Sequence, residues 1–107
     1  MRHMIEAARE AQDFARGHVR SDLDSNRMLA LALVRLIEII GEAASRLSEE
    51  ARALVPNIPW PFVVAMRNRL IHGYFDIDLD RVWDTVSDDL PPLIVAVEAA
   101  LSAETDR

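Results

Sequence analysis

The sequence predicts an all-α bundle of four to five helices, and three observations predict it. Apolar residues recur at steps of three and four along most of the chain, the spacing that lines up one helix face. No run alternates apolar and polar residues between hairpin turns, and only three glycines are present. Prolines, glycines and short polar residues fall where helices would start and stop. At 107 residues the chain reads as one domain over 1–107, long enough to bury roughly two-thirds of its unfolded surface.

The first helix is expected from Met4 to Arg16, with Ile5, Ala8, Ala11 and Ala15 on one face and Gly17 as its stop. Ser21 to Asn26 is a polar turn in which Asp24 and Ser25 are candidate caps. A long second helix follows, from about Asn26 to Leu47. Its polar residues form one narrow ladder of Arg35, Glu38, Glu42 and Arg46, and nearly everything else on it is apolar. A helix apolar over most of its circumference is buried on more than one side. In so short a chain the second covering surface is expected to be another copy, which predicts a homodimer.

Ser48 can cap a short turn over Glu49 to Leu54, ended by Pro56. Pro59 and Pro61 suit the first turn of the next helix, where a missing N–H costs little. That helix carries Phe62, Val63, Met66 and Leu70 and is expected to stop at Gly73. Asp78 is the N-cap of a further helix bearing Leu79, Val82, Trp83, Val86 and Leu90. Pro91-Pro92 removes two ladder donors and must kink or break it, so the last helix is expected from about Pro92 to Ala103.

Composition excludes several chemistries. With no cysteine, disulfides, iron–sulfur clusters and thiol catalysis are ruled out. Glu6, Arg9 and Glu10 break up the N-terminal segment, and the apolar run Met28–Val34 is too short to span a membrane. A soluble cytoplasmic protein without membrane contact is expected. The net charge of −6 argues against nucleic acid, but its distribution softens the objection. Met1 to Phe75 holds ten arginines against nine acids, whereas Asp76 to Arg107 holds two against nine. No lysine occurs, for which coding bias is a sufficient account. Few phosphates can be neutralised, so affinity for generic RNA should be weak.

The chemistry-bearing stretch is Met66-Arg67-Asn68-Arg69-Leu70-Ile71-His72-Gly73-Tyr74. It gathers a fixed cation, a histidine and the only tyrosine at one helix terminus, a combination that packing does not demand. Arg67 can give a phosphate two parallel hydrogen bonds, and His72, with an ordinary pKa of about 6.5, can move a proton near neutrality. RNA brings its own nucleophile, the 2′-hydroxyl. Cleavage then needs a base, an acid for the departing 5′-oxygen, and positive charge at the crowded phosphate. No metal is required, and no cofactor is expected. The negative end of the helix favours protonated His72 and hence the acid role. Asn68, on the same helical face as His72, could orient the imidazole or hold the sugar, and Arg69 adds positive charge. Arg67 and His72 are five residues apart, about 140° around an ideal helix, so they do not share a face. Either the helix loosens near Gly73 and swings the imidazole back, or motifs from two subunits complete a composite cleft. The apolar breadth of the long helix favours the second.

The Arg-x4-His-x-Tyr pattern formed by Arg67, His72 and Tyr74 resembles the signature of HepT-like toxins in the HEPN superfamily. Further landmarks are Ile39-Ile40-Gly41-Glu42-Ala43-Ala44, Leu47-Ser48, Ile58-Pro59-Trp60, and Val82-Trp83 before Asp89-Leu90-Pro91. The likeness covers nearly the whole chain. It implies a HEPN-type bundle and a metal-independent endoribonuclease, dimeric, with its cleft at the subunit interface. It also implies a nucleotidyltransferase antitoxin of the MntA type, within a larger hetero-oligomer, that silences the toxin by AMPylation of Tyr74. Phosphates added beside Arg67 would occupy its donors and repel substrate. Pro61 departs from the polar residue expected after Trp60 in relatives, which bears on the helix start more than on the site.

Each residue also has a plainer reading. Alone, His72 would cap a helix end, and Arg67 would form a surface ion pair worth about 0–1 kcal/mol. Tyr74 could simply cover the helix end. Joined with Asn68 and the landmarks, the set reads as functional. Glu38 and Glu42 read as solvated ladder members, and Trp60 and Trp83 as core or interface anchors. His3 and His18 have no partner at metal spacing. Asp76-Asp78-Asp80 lacks the central glycine and terminal glutamate of a calcium loop. The alternative function is a non-catalytic helical dimer that docks a nucleotidyltransferase and is modified by it, which the acidic C-terminal third would suit.

Overall fold

The computed structural model describes residues 1–72 and 76–105, and it is helical almost throughout. Helix α1 (Arg2–Ala15) buries Met4, Ile5, Ala7, Ala8 and Ala11, one stripe made mostly of alanine. Small side chains let two helix axes approach closely, and α1 lies along α3 (Arg27–Ser45). Helix α1 ends where Arg16 turns extended (φ −60°, ψ 131°), and Gly17, at φ +80°, completes a turn in which the His18 N–H donates to the Ala15 carbonyl at 3.0 Å. The polar turn forms a short helix α2 (Asp22–Ser25), with Leu23 buried. The cap of α3 is Asn26, whose Oδ1 accepts from the Leu29 N–H at 3.0 Å. Asp24 and Ser25, the candidates from sequence, lie inside α2 instead.

Helix α3 is the axis of the core. Leu33, Ile37, Ile40 and Ala44 are fully buried, and Leu29, Ala30, Val34 and Leu36 nearly so. Its apolar breadth is met within the chain: α1 covers one flank, while α5 (Trp60–Val64) and α6 (Met66–Leu70) cover another. The burial expected from a second copy is therefore largely intramolecular. What α3 leaves exposed is a single stripe in which Met28 and Leu31 (84% and 44% exposed) precede the ladder of charges.

Ser48 caps α4 (Glu49–Ala53) as expected, its Oγ accepting from the Ala51 N–H at 3.0 Å. Arg52 of α4 reaches back to the Ala44 carbonyl at 3.0 Å, satisfying an acceptor near the end of α3. Trp60 is a core anchor whose indole N–H donates to the carbonyls of Arg52 and Val55 at 3.0 and 3.1 Å.

The helix expected to run unbroken to Gly73 does not. It divides at Ala65 (φ −86°, ψ 0°) and ends at Leu70. On either side of the bend Val63, Met66 and Leu70 all pack into the core, and both halves lie against α3. Past Leu70 the chain is extended: β1 (Ile71–His72) pairs antiparallel with β2 (Asp76–Ile77), Ile71 opposite Ile77 and His72 opposite Asp76. The Leu70 carbonyl accepts from the Asp78 N–H at 2.6 Å instead of continuing a helix. This small ladder was not foreseen, since two-residue strands are too short for an alternating pattern.

Asp78 caps α7 (Leu79–Asp84), accepting from the Arg81 N–H at 3.1 Å. The prolines do not begin a new helix at Pro92. A π-helical stretch, Thr85–Asp89, leads directly into α8 (Leu90–Thr105), with the Leu90 N–H donating five residues back to Thr85. The wider turn re-routes the ladder just before two residues that cannot donate. Helix α8 buries Leu90, Leu93, Ile94 and Val97, and Glu98 pairs with Arg9 of α1. Among the described residues no helix is long and apolar enough to cross a membrane.

Candidate functional site

The sequence motif comes to lie beside the charged stripe of α3. Gly41 makes this possible. A Cβ there would stand 3.3 Å from the Val64 carbonyl oxygen and 3.4 Å from that of Val63, so glycine lets the α5–α6 junction sit a few tenths of an ångström closer than a side chain would. With the junction held against Gly41, α6 projects Arg67 and Asn68 over the next turns of α3. The result is an open groove of about 420 Å³ lined by Glu38, Gly41, Glu42, Ser45, Arg67 and Asn68.

Charges in the groove are unequally committed. Glu42 is tied to Arg46 at 2.7 Å. Glu38 stands between two cations: its Oε2 is 3.4 Å from Arg35 Nη1, and its Oε1 is 3.6 Å from Arg67 Nε. The second distance is a charge contact beyond hydrogen-bond range. Arg67 is 56% exposed in its side chain, and none of its guanidinium N–H groups has a hydrogen-bond partner among the described residues. Asn68 is exposed beside it.

Arg69 takes a different course. Its guanidinium lies 3.6 Å from the centre of the Phe62 ring, a cation–π contact, and it does not line the groove. One of its nitrogens, Nη1, is buried without a hydrogen-bond partner among the described residues. The Arg69 charge acts on Asp89, whose carboxyl burial nonetheless pushes above its ordinary value, with Asp88 adding to the rise.

His72 is placed by its backbone in β1, directly after α6 and out of helical register with Arg67 and Asn68. The helical same-face relation between Asn68 and His72 therefore does not hold, and neither does a position for His72 on a helix end. The His72 side chain and Tyr74 lie outside the described residues. Among those described, no group of three or more His, Asp or Glu could hold a metal ion. Of the residues the sequence singled out, the structure thus brings Arg67 and Asn68 together in one groove and sends Arg69 to Phe62. Glu38 is the residue that sequence reasoning undervalued. Its place at the centre of the Arg35–Glu42 ladder was visible, but its approach to Arg67 is a tertiary contact.

The structure is thus a mostly helical protein whose groove sets Arg67 and Asn68 against Glu38 and Glu42 of α3. The family is given by comparison: residues 4–100 match the family described as Ribonuclease HepT-like, and the chain belongs to it. It is 36% identical over 95 residues to "Putative RNase MJ1380" of Methanocaldococcus jannaschii, covering 89% of this chain and 87% of that one. It is likewise 36% identical over 90 residues to "Probable ribonuclease HepT" of Thermococcus cleftensis, covering 84% of this chain and 82% of that one. No solved structure matches the chain significantly.

Proposed function

We propose that this protein is a metal-independent endoribonuclease, the toxin of a HEPN/MNT toxin–antitoxin pair, with Arg67 and His72 as its catalytic residues. The observation that carries the reading is Arg67 itself. It is an exposed guanidinium on a groove, its donors without a hydrogen-bond partner among the described residues, four residues ahead of the extended segment that bears His72, in a chain of the HepT-like ribonuclease family.

In this reading Arg67 grips the scissile phosphate and offsets the charge that builds as the 2′-oxygen attacks phosphorus. The 2′-hydroxyl loses its proton to neutral imidazole, the bond from phosphorus to the 5′-oxygen breaks, and imidazolium returns a proton to that oxygen. The products are a 2′,3′-cyclic phosphate and a 5′-hydroxyl. A homodimer supplies two His72 imidazoles, one for each proton. The exposed Met28 and Leu31, in line with the groove on α3, support a second copy seated there. Asn68 holds the sugar or the imidazole, and Arg69 contributes positive charge while its stack on Phe62 steadies α6. An MntA-type nucleotidyltransferase silences the enzyme by AMPylation of Tyr74, placing phosphate beside Arg67.

Incubation of the purified chain with total RNA tests this directly. Arg67→Ala and His72→Ala should each lower cleavage by about a hundredfold or more, with folding intact. Cleavage undiminished in both variants would overturn the site. Transfer of AMP to Tyr74 is read by mass spectrometry after treatment with the nucleotidyltransferase and ATP, and an unmodified hydroxyl under conditions where that enzyme is active refutes the regulation.

A further inference from the structure

We propose that Glu38 is a positioning residue of the cleavage site, which aims the Arg67 guanidinium so that its terminal edge faces the phosphate. The inference rests on the ribonuclease reading above and names a residue that the motif does not contain.

A guanidinium can meet a phosphate or carboxylate in two bidentate ways: side-on, through Nε and one terminal nitrogen, or end-on, through the two terminal nitrogens. Glu38 Oε1 stands 3.6 Å from Arg67 Nε, which places a negative charge on the side-on edge. An anion approaching there would meet repulsion. The end-on edge is left, and its N–H groups have no hydrogen-bond partner among the described residues. At 3.6 Å the carboxylate orients the cation through charge without consuming a directional donor.

Glu38 is itself held. Only 25% of its side chain is exposed, against 65% for Arg35, whose Nη1 lies 3.4 Å from Glu38 Oε2. With one oxygen turned to Arg35 and the other to Arg67, the carboxylate cannot swing to follow a departing guanidinium. The neighbouring acid of the ladder, Glu42, is occupied by Arg46 and does not take its place. Geometry thus gives Glu38 opposing effects on a ribonucleotide: its charge weakens binding of the backbone, and its hold on Arg67 improves alignment at the reacting phosphate. Removing the charge should separate the two.

The experiment compares wild type, Glu38→Gln and Glu38→Asp as full chains. Three measurements are made: steady-state kinetics (kcat and KM) on a short fluorogenic RNA, anisotropy with the same sequence as uncleavable 2′-O-methyl RNA, and thermal melting. Glu38→Gln should lower kcat by about tenfold, because misplacement of a positioned group is costly. Its KM and its affinity for the 2′-O-methyl RNA should be unchanged or tighter, with melting close to wild type. Glu38→Asp, which keeps the charge on a shorter stem, should recover part of kcat. A kcat for Glu38→Gln within about twofold of an active wild type overturns the positioning role alone, as does a fall in kcat matched by weaker RNA binding. A wild type that cleaves no RNA overturns the ribonuclease reading, and this role with it.

Discussion

The two faces of α3 do opposite jobs. The inward face, Leu33, Ile37, Ile40 and Ala44, has no solvent exposure and belongs to the apolar core. The outward stripe of Arg35, Glu38, Glu42 and Arg46 is joined by ion pairs, most of them well exposed. Buried apolar area is worth roughly 25 cal/mol per Å², whereas an exposed ion pair is worth about 0–1 kcal/mol. One helix therefore stores stability on one side and leaves the other free to serve a ligand. Gly41 lies at the border, buried like the core yet lining the groove.

The largest effect is expected on the inward face. Ile37→Ala leaves a cavity in the centre of the core and should cost about 2–5 kcal/mol in denaturant unfolding, with activity per folded molecule largely retained. Activity lost in proportion beyond the unfolded fraction would show that the two faces are not separable. At the border, Gly41→Ala brings a methyl within 3.3 Å of backbone that cannot rotate away. It should cost about 1–3 kcal/mol and also lower cleavage, because α6 and Arg67 are displaced together. A variant stable as wild type but inactive, or the converse, would break that coupling. On the outward face Arg46→Ala removes the pair with Glu42 and should change stability by less than about 1 kcal/mol in thermal melting.

The smallest effect concerns Asp89, the carboxylate on the far side of α5–α6. Burial raises its pKa, so the folded chain holds that proton more tightly than the unfolded chain does. The ionised form then counts against folding, and the penalty sets in as pH rises from the ordinary value of 3.8 through the raised one. Asp89→Asn should stabilise the protein at neutral pH by on the order of 0.5 kcal/mol, and the gain should vanish below the ordinary carboxylate range. Equal gains at both pH values would assign the effect to shape and not to charge.

Features that close over three or four residues were legible in advance. Ser48 and Asp78 each accept from an N–H three residues on, and Gly17 supplies the positive φ of the turn that follows α1. The core stripe of α1 and the charge ladder of α3 follow from helical period alone. Legibility failed where two distant segments compete for one geometry. The helix carrying the motif was expected to reach Gly73, yet packing on α3 bends it at Ala65 and pairing with Asp76–Ile77 ends it at Leu70. Pro91-Pro92 signalled a break correctly in kind, but the remedy, a π turn over Thr85–Asp89, depends on keeping α8 against α1.

By itself the sequence determined a mostly helical chain, the caps Ser48 and Asp78, much of the core and a motif pairing a permanent cation with a titratable imidazole, because these depend on short-range spacing and residue chemistry. Only the tertiary structure decided that α3 would be covered from within the chain, that Arg67 would stand against Glu38, and that Arg69 would turn to Phe62. Those outcomes depend on how the segments pack on one another, as where the Val64 carbonyl approaches Gly41, a closeness that no local pattern encodes.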